Sequence, residues 1–414
     1  MDTVVKNALE RVPEELMGAG LKAMFYCHDT YGLGHLRRTL TLAHHFRKIR
    51  PEISQLIVTG SPIASSFSYP DGADFIKLPS VTKASYGTYE PRTLESIDID
   101  GMRDLRQALI LAAAKKYQPD FLIVDHAPAG LKGEVVETLQ YLKQHLPDTR
   151  LILGLRDVMD EAPTVRESWI RAGAYELFDD FYDRIFVYGH RHFYDVIEEY
   201  GISDKAADKT RFVGYLHRDA GRRTREEIRK SIDMQTDHLV LVTAGGGGDG
   251  RTLFEAMIRD LETTRQRDFD TLIVGGPLLS RDDRRELRGR LDKLGNVNVL
   301  PFTDDLPGYI GAANAVIGMG GYNTVCETLS LRRPTLIVPR VTPRKEQLIR
   351  ATFLEQHGYV SKLHPQDLAP RSLVSGAFDL LENGDSRPAL PMHGLTNMVD
   401  ELDQERAAQI LERS

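Results

Sequence analysis

The sequence predicts an α/β protein made of two tandem Rossmann-like domains, each a doubly wound parallel sheet covered by helices. Short apolar runs alternate with amphipathic helical stretches along most of the chain, and this alternation restarts near residue 238. Each half opens with a strand, a glycine loop and a helix. A chain of 414 residues is also long enough for two domains of ordinary size.

The first domain is predicted at residues 1–217. An added amphipathic helix is expected over residues 1–20, and a long polar loop over residues 79–100. A glycine loop after the first strand, residues 31–35, leads into a helix that ends near Ile49. The predicted strands cover residues 21–27, 55–60, 75–78, 120–125, 151–155, 184–188 and 212–216.

The second domain is predicted at residues 218–394, and it opens with a charged helical stretch that ends near residue 237. A charged C-terminal helix, residues 395–414, is expected to pack back on the first domain. Ligands of doubly wound sheets bind at the carboxyl ends of the strands, so two facing domains predict a binding cleft. The predicted strands cover residues 238–243, 271–274, 297–300, 315–317 and 334–338.

Composition excludes several classes of protein. The net charge of −7 argues against nucleic-acid binding, which usually requires a basic face. The sequence contains no run of about 18 apolar residues, so no transmembrane segment is predicted. The two cysteines, Cys27 and Cys326, are far apart in the sequence and are expected to be reduced thiols. These features predict a cytoplasmic protein.

The central motif of the sequence is the glycine-rich stretch at residues 318–327. It follows the apolar strand at residues 315–317 and precedes a helix expected at residues 328–331. Exposed amides in a glycine turn, together with the positive end of a helix, suit a phosphate or pyrophosphate. Thr324 can add a hydroxyl near that anion, and Glu327 lies within reach of a ribose diol. The alternative is an ordinary strand–turn–helix junction with a solvent-exposed Glu327.

The common nucleotide motifs are absent. A dinucleotide fingerprint needs a third glycine, which the stretch Gly32-Leu33-Gly34-His35-Leu36-Arg37 lacks. The second predicted strand ends at Gly60 without the carboxylate that would hold a ribose. No P-loop occurs either. The nucleotide ligand is therefore expected to be of another kind.

Five short motifs occur in order along the chain, at residues 31–35, 214–218, 245–248, 320–327 and 339–351. Together they resemble the motifs of glycosyltransferase family 28, which includes the MurG-type peptidoglycan enzymes and has the GT-B fold. The resemblance spans about residues 21–358. This chain departs from the family pattern at Gly32, Gly247 and Arg350, which leaves the donor sugar and the acceptor open.

The resemblance implies a glycosyltransferase that uses a nucleoside diphosphate sugar, with UDP-hexose or UDP-N-acetylhexosamine as the expected donor. It implies an inverting reaction. Glu346 and Gln347 are expected to contact the donor sugar, with an exposed surface loop as the alternative. The residues expected to bind the nucleotide and its phosphates are Arg218, Gly245, Gly246, Gly247, Gly248, Phe302, Thr303, Gly320, Gly321, Tyr322, Thr324 and Glu327.

His35 is predicted to be the catalytic base, because an imidazole accepts a proton near neutral pH and this one follows a glycine turn at a helix start. His28 and His126 end predicted strands on the same side and are rivals for that role. Gly34 and His126 are expected on the acceptor side. The acceptor is unknown, with anionic and lipid-linked molecules left open, and a peripheral position at the inner membrane face is an option.

No metal site and no cofactor are expected. Asp98 and Asp100 have the spacing of a carboxylate pair, but they lie in the long loop of the first domain. Two other functions stay open. A sugar-nucleotide epimerase or hydrolase of the same fold would convert the donor without an acceptor. A non-catalytic sugar-nucleotide-binding protein would bind the donor without turnover.

Overall fold

The computed structural model describes residues 20–29, 34–85, 88–246, 250–264, 267–276, 285, 289–291 and 294–413. The helix predicted over residues 1–20 therefore lies almost wholly outside the described residues, as do Gly247 and Gly248 of the second glycine loop. Residues 31–33 of the first glycine loop lie outside as well.

The first sheet has seven parallel strands in the order β3-β2-β1-β6-β7-β8-β9. The order reverses between β1 and β6, so the loops after these two strands meet at one edge of the sheet. The strands are β1 (Lys22–Cys27), β2 (Ser54–Thr59), β3 (Ala73–Lys77), β6 (Phe121–Asp125), β7 (Arg150–Arg156), β8 (Arg184–Tyr188) and β9 (Thr210–Phe212).

Two predictions for this half are wrong. The polar loop expected over residues 79–100 contains an antiparallel hairpin, β4 (Val81–Ser85) and β5 (Thr88–Pro91), and Val81 is buried against Met102. The strand expected over residues 212–216 ends at Phe212, because Gly214 turns the chain with a φ of 92°.

Helices cover the first sheet. Helix α1 begins at Gly34, within the stretch predicted as the first glycine loop, and ends at Ile49 as predicted. The α-helices in the described part of this half are α1 (Gly34–Ile49), α2 (Ile99–Tyr117), α3 (Val136–His145), α4 (Ala162–Arg171), α5 (Ala174–Asp180), α6 (Val196–Tyr200) and α7 (Asp204–Ala207).

The second sheet has six parallel strands in the order β12-β11-β10-β13-β14-β15, and this order reverses between β10 and β13. The two-residue strand β15 was not predicted. The strands are β10 (Leu239–Thr243), β11 (Asp270–Val274), β12 (Val297–Leu300), β13 (Ala315–Gly318), β14 (Thr335–Ile337) and β15 (Ser361–Lys362).

The helices of the second half differ from prediction at its start. The charged stretch expected to be helical over residues 218–237 forms a helix only at Arg225–Ser231, where Thr224 and Glu227 make a capping box. The α-helices whose bounds lie within the described residues are α8 (Arg225–Ser231), α9 (Arg251–Thr263), α10 (Leu306–Ala312), α11 (Tyr322–Ser330), α12 (Glu346–Gln356), α13 (Ser372–Asn383) and α14 (Gly394–Arg413).

The chain divides into two compact units. The first comprises Met1–Asp157, Ala162–Leu216 and His393–Ser414, and the second comprises Val158–Glu161 and His217–Met392. The sequence boundaries, 1–217 and 218–394, did not include the four-residue segment Val158–Glu161, which the first half of the chain contributes to the second unit. Helix α14 contacts the first unit, where Asn397 donates a hydrogen bond to the Val213 carbonyl.

Alternate residues of β10 are buried on opposite faces of the second sheet. Val240 and Val242 belong to one hydrophobic cluster, with Phe254 of α9, whereas Leu239 and Leu241 belong to another, with Ile310 of α10. A parallel strand covered on both faces is therefore apolar along its whole length. This is why the strand appears in the sequence as a continuous apolar run.

A buried ionic network joins three elements of the first unit. Arg106 of α2 donates two hydrogen bonds of 2.6 Å to the carboxylate of Glu134, and both side chains are fully buried. The Tyr26 hydroxyl of β1 donates to the same carboxylate. Removing one partner of a buried ion pair leaves the other charge uncompensated, which is costly.

Replacing Glu134 tests this network. Glu134→Gln keeps the side-chain shape but leaves the Arg106 charge unpaired, so we expect the free energy of unfolding to fall by about 3–5 kcal/mol. Urea unfolding followed by the fluorescence of Trp169, the only tryptophan of the chain and a buried residue of α4, measures the change.

The control for this substitution is Asp100→Asn. It removes the exposed ion pair between Asp100 and Lys132, and it should leave the unfolding curve nearly unchanged. Equal effects of the two substitutions would contradict the importance of the buried network.

Candidate functional site

Three glycine segments meet at the carboxyl edge of the second sheet. They follow β11, β10 and β13, which are neighbours in that order. A Cβ atom added to Gly276 would lie 2.5 Å from the Gly245 carbonyl oxygen, and one added to Gly245 would lie 3.3 Å from Thr324 Oγ1. Side chains at these glycines would therefore fill the space at the point where the strand order reverses. Gly276 was not among the predicted site residues.

Helix α11 starts six residues earlier than predicted, at Tyr322 instead of residue 328. Its N-cap is Gly321, and its first intrahelical hydrogen bond runs from the Val325 amide to the Gly321 carbonyl. The amides of Tyr322, Asn323 and Thr324 therefore belong to the first turn, where N–H groups precede the helical ladder and the helix dipole is positive.

The two adjacent glycines at the start of α11 have different surroundings. A Cβ atom on Gly320 would lie 3.1 Å from the Gln347 carbonyl oxygen and 3.2 Å from Ile337 Cγ2. A Cβ atom on Gly321 would meet nothing within 4 Å. Gly320 is therefore required by packing, whereas the space beside Gly321 is open.

Arg218 and Glu327 are both buried beside α11, with exposures of 6% and 2%. Arg218 donates a hydrogen bond of 2.7 Å from Nη2 to Asn323 Oδ1, and its amide donates to Ser330 Oγ at 2.9 Å. Arg218 is thus tied to both ends of α11. The burial of Glu327 excludes the alternative of a solvent-exposed helical glutamate.

Phe302 and Thr303 follow β12 at the same edge of the sheet, two strands away from β10. Both side chains are partly buried. Thr303 Oγ1 accepts a hydrogen bond of 3.0 Å from the Asp305 amide, so it shapes the turn into α10.

Glu346 and Gln347 begin α12, and both are buried, which excludes the alternative of an exposed surface loop. Gln347 Oε1 accepts a hydrogen bond of 3.0 Å from the Arg340 amide. Glu346 forms an ion pair with Arg340 through Oε1. Its other oxygen, Oε2, is buried and has no hydrogen-bond partner among the described residues.

At the carboxyl edge of the first sheet, a buried carboxylate holds the predicted base. His35 Nδ1 lies 2.6 Å from Asp125 Oδ2, and the side chain of His35 is 19% exposed whereas that of Asp125 is 2% exposed. Arg38 donates to both oxygens of Asp125, from Nε at 2.7 Å and from Nη2 at 2.5 Å. Asp125 therefore orients the imidazole and is itself fixed by Arg38.

Asp125 is ionised because of these partners. Burial acts to raise its pKa, but the Arg38 guanidinium and His35 outweigh that effect and hold the pKa of Asp125 well below its usual range. A second buried carboxylate, Asp29, accepts hydrogen bonds from the His35 amide at 3.3 Å and the Leu36 amide at 2.7 Å. It thereby anchors the start of α1. Gly34 is the first residue of that helix.

The two rival histidines surround His35. The ring centroids of His28 and His126 lie 4.4 Å and 5.3 Å from that of His35. His126 has a φ of 69° and lies 3.3 Å from Arg156, measured from Nε2 to Nη2. Burial lowers the pKa of His126 well below its usual range, and the nearby charge of Arg156 lowers it further. His126 is therefore neutral at pH 7 and poorly suited to hold a proton.

Sequence reasoning missed several residues of these two edges. Asp29 and Arg38 belong to the segment that contains His35, but nothing in their spacing reveals that Arg38 pairs with Asp125. A polar residue that ends a fully apolar strand was the available signal for Asp125. The residues that only the structure brings to the sites are Asp29, Arg38, Asp125, Arg156, Gly276, Asn323 and Arg340.

No cluster of three or more His, Cys, Asp or Glu side chains among the described residues is arranged to hold a metal ion. None of the described helices is both long enough and apolar enough to cross a membrane.

Residues 239–405 match the family model of the glycosyltransferase family 28 C-terminal domain. Over 187 residues the chain is 28% identical to a UDP-N-acetylglucosamine--N-acetylmuramyl-(pentapeptide) pyrophosphoryl-undecaprenol N-acetylglucosamine transferase of Geobacillus kaustophilus (strain HTA426). This match covers 43% of the chain and 49% of the relative. The chain thus spans about half the length of that protein.

Two solved structures share the fold over nearly the whole chain. The glycotransferase of kitacinnamycin has a TM-score of 0.56 at 18% identity, covering 95% of this chain and 99% of its own. A UDP-N-acetylglucosamine 2-epimerase described from Listeria monocytogenes has a TM-score of 0.60 at 14% identity, covering 94% and 97%. Residues 239–405 are therefore similar to the glycosyltransferase family 28 C-terminal domain, and the chain that carries them has the two-domain GT-B fold.

Proposed function

We propose that this chain is a glycosyltransferase that moves a sugar from a nucleoside diphosphate to a hydroxyl group of an acceptor. The observation that carries the proposal is the N-terminus of α11 beside the glycine turns that follow β10 and β11. Backbone amides and a positive helix end suit the diphosphate that departs in such a reaction. The match of residues 239–405 to a glycosyltransferase domain supports the same conclusion.

In this proposal the diphosphate lies above Gly321 and the first turn of α11. One helix terminus contributes only about 0.3–1 kcal/mol to anion binding at an exposed site, so further groups are needed. The remaining amides of the glycine turns and the buried guanidinium of Arg218 supply them. Glu327 binds the ribose, the main chain near Phe302 and Thr303 meets the base, and Glu346 Oε2 accepts a hydrogen bond from the sugar.

The proposed base is Nε2 of His35. Asp125 accepts a hydrogen bond from the N–H group at Nδ1. This fixes the tautomer of His35 and leaves the lone pair on Nε2. That nitrogen takes the proton of the acceptor hydroxyl as the oxygen attacks C1 of the sugar. The bond from C1 to the phosphate oxygen breaks, and the diphosphate leaves with the electron pair. A single displacement of this kind inverts the configuration at C1, and we propose that it proceeds without a metal ion or a cofactor.

For the donor we propose a UDP-sugar, with UDP-N-acetylglucosamine as the first to test because the Geobacillus relative is named for it. That relative's acceptor is a pyrophosphoryl lipid, as its name states. The edge that holds His35 also carries the partly buried guanidinium group of Arg156, which supports an anionic acceptor. A lipid-linked acceptor would be reached at the inner membrane face.

A panel of nucleotide sugars tests the function. UDP- and GDP-linked hexoses and UDP-N-acetylglucosamine are incubated with the protein, with and without a cell extract that supplies acceptors. We expect free UDP to appear only when both protein and extract are present. Conversion to another nucleotide sugar without extract would instead identify an epimerase. Binding without any conversion would identify a non-catalytic protein.

His35→Ala tests the base, with the donor and extract that are active in the panel. We expect turnover to fall by about 10²–10⁴-fold, the usual contribution of a general base, while the affinity for UDP stays unchanged.

The matched control for this substitution is His44→Ala, which removes an exposed histidine from the same helix and should leave turnover as it is. Near-normal turnover in His35→Ala would contradict the assignment and leave His28 as the remaining candidate for the base.

A further inference from the structure

Arg350 is a fully buried arginine of α12, and it donates a hydrogen bond to the glycine turn that precedes α11. Its Nη1 donates a hydrogen bond of 2.8 Å to the Gly320 carbonyl oxygen. Its Cζ lies 5.6 Å from the centroid of the Tyr322 ring. The guanidinium therefore contacts the residues on both sides of Gly321.

The hydrogen bond to Gly320 fixes the direction of the next amide. The Gly320–Gly321 peptide bond is trans, so the Gly321 N–H points opposite to the Gly320 carbonyl. Because that carbonyl faces Arg350, the Gly321 N–H faces away from the protein core. A charged donor on the carbonyl also polarises the peptide and makes its N–H a stronger donor.

The packing around the turn agrees with this orientation. Gly320 is closed in by Gln347 and Ile337, whereas a side chain on Gly321 would enter open space. The peptide between them therefore has its carbonyl in the packed layer and its N–H at the open edge, beside the first turn of α11.

Arg350 is itself held by the segment Val158–Glu161. Nη2 of Arg350 donates to the Val158 carbonyl at 3.2 Å. Asp160 Oδ1 accepts a hydrogen bond of 2.9 Å from the Lys345 amide, at the start of α12. Two contacts with one short segment thus fix the helix that carries the guanidinium.

We infer that Arg350 is a positioning residue for a diphosphate: by holding the Gly320 carbonyl it aims the Gly321 amide at a phosphate oxygen that it does not itself touch. This inference rests on the proposed binding of a nucleoside diphosphate at α11. It implies that Arg350 contributes to the binding of the phosphate part of the ligand. The nucleoside part, assigned to Glu327 and to Phe302 and Thr303, should not depend on it.

The test compares UDP with uridine. Calorimetric titration gives the UDP affinity of the wild type and of Arg350→Lys, and competition with UDP gives the uridine affinity. We expect Arg350→Lys to lower the affinity for UDP by about tenfold or more, the contribution of one hydrogen bond from the Gly321 amide to a charged phosphate oxygen. The affinity for uridine should stay unchanged. Gly321→Val, which fills the open space, should also weaken UDP selectively.

The matched control is Arg267→Lys. Arg267 is another buried arginine of the same unit, and it donates hydrogen bonds to the main-chain carbonyls of Thr264 and Gly295. It lies before β11, at the end of that strand opposite to the glycine turn. The Arg267→Lys variant should bind UDP and uridine with the affinities of the wild type. A folded Arg350→Lys that keeps the wild-type ratio of UDP to uridine affinity would overturn the inference. Equal weakening of both ligands would also overturn it, because a general loss of structure has that effect.

A further measurement needs no variant. In the wild type, UDP should slow hydrogen exchange of the Gly321 amide, and this decides the matter if Arg350→Lys does not fold. An amide that exchanges equally fast with and without UDP would overturn the inference. A wild type that binds no UDP would overturn the proposed function together with it, whereas bound UDP with an unprotected Gly321 amide would overturn the inference alone.

Discussion

Parallel pairing of β10 with β13 is the constraint on which the proposed donor site depends. The register sets Thr243 opposite Gly318, so the turns that follow these strands begin side by side. Because the strand order reverses between them, the connecting helices leave on opposite faces of the sheet and the edge between them stays open. The glycines at this edge keep side chains out of that space. The site is thus built largely from main-chain amides whose positions the sheet sets.

The first unit uses the same strand order for a different kind of site. Among the described residues, the ends of its two strands at the reversal carry imidazole and carboxylate side chains, those of His28, Asp29, Asp125 and His126. The key group is Asp125, whose buried carboxylate is kept ionised by Arg38 and in turn holds His35. An orienting carboxylate beneath an imidazole suits proton transfer, whereas an open row of amides suits an anion.

The sequence predicted most strands because these depend on local pattern. The run Leu239–Thr243 is apolar along its length since both faces of the sheet are covered. The start of α11 was missed because glycines at its N-cap and β-branched Thr324 and Val325 have low helix propensity, which packing overrides. The hairpin of β4 and β5 was also missed, since its short polar strands resemble a loop.

The charged partners of the sites could not be predicted. Arg38 and Asp125 are 87 residues apart, and Arg350 and Val158 are 192 residues apart. No local periodicity relates such pairs, and they meet only because the sheets bring distant segments to one edge. The role of Val158–Glu161 in the second unit has the same origin. The glycine pattern predicted a turn that suits a phosphate. It could not show that Arg350 holds the peptide between Gly320 and Gly321 inside that turn.

A crystal structure of the protein with bound UDP tests the central claim most directly. The account predicts that an oxygen of the diphosphate lies about 3 Å from the amide nitrogen of Gly321 or Tyr322, at the N-terminus of α11. UDP bound elsewhere, or bound with its phosphates turned away from this helix, would contradict it.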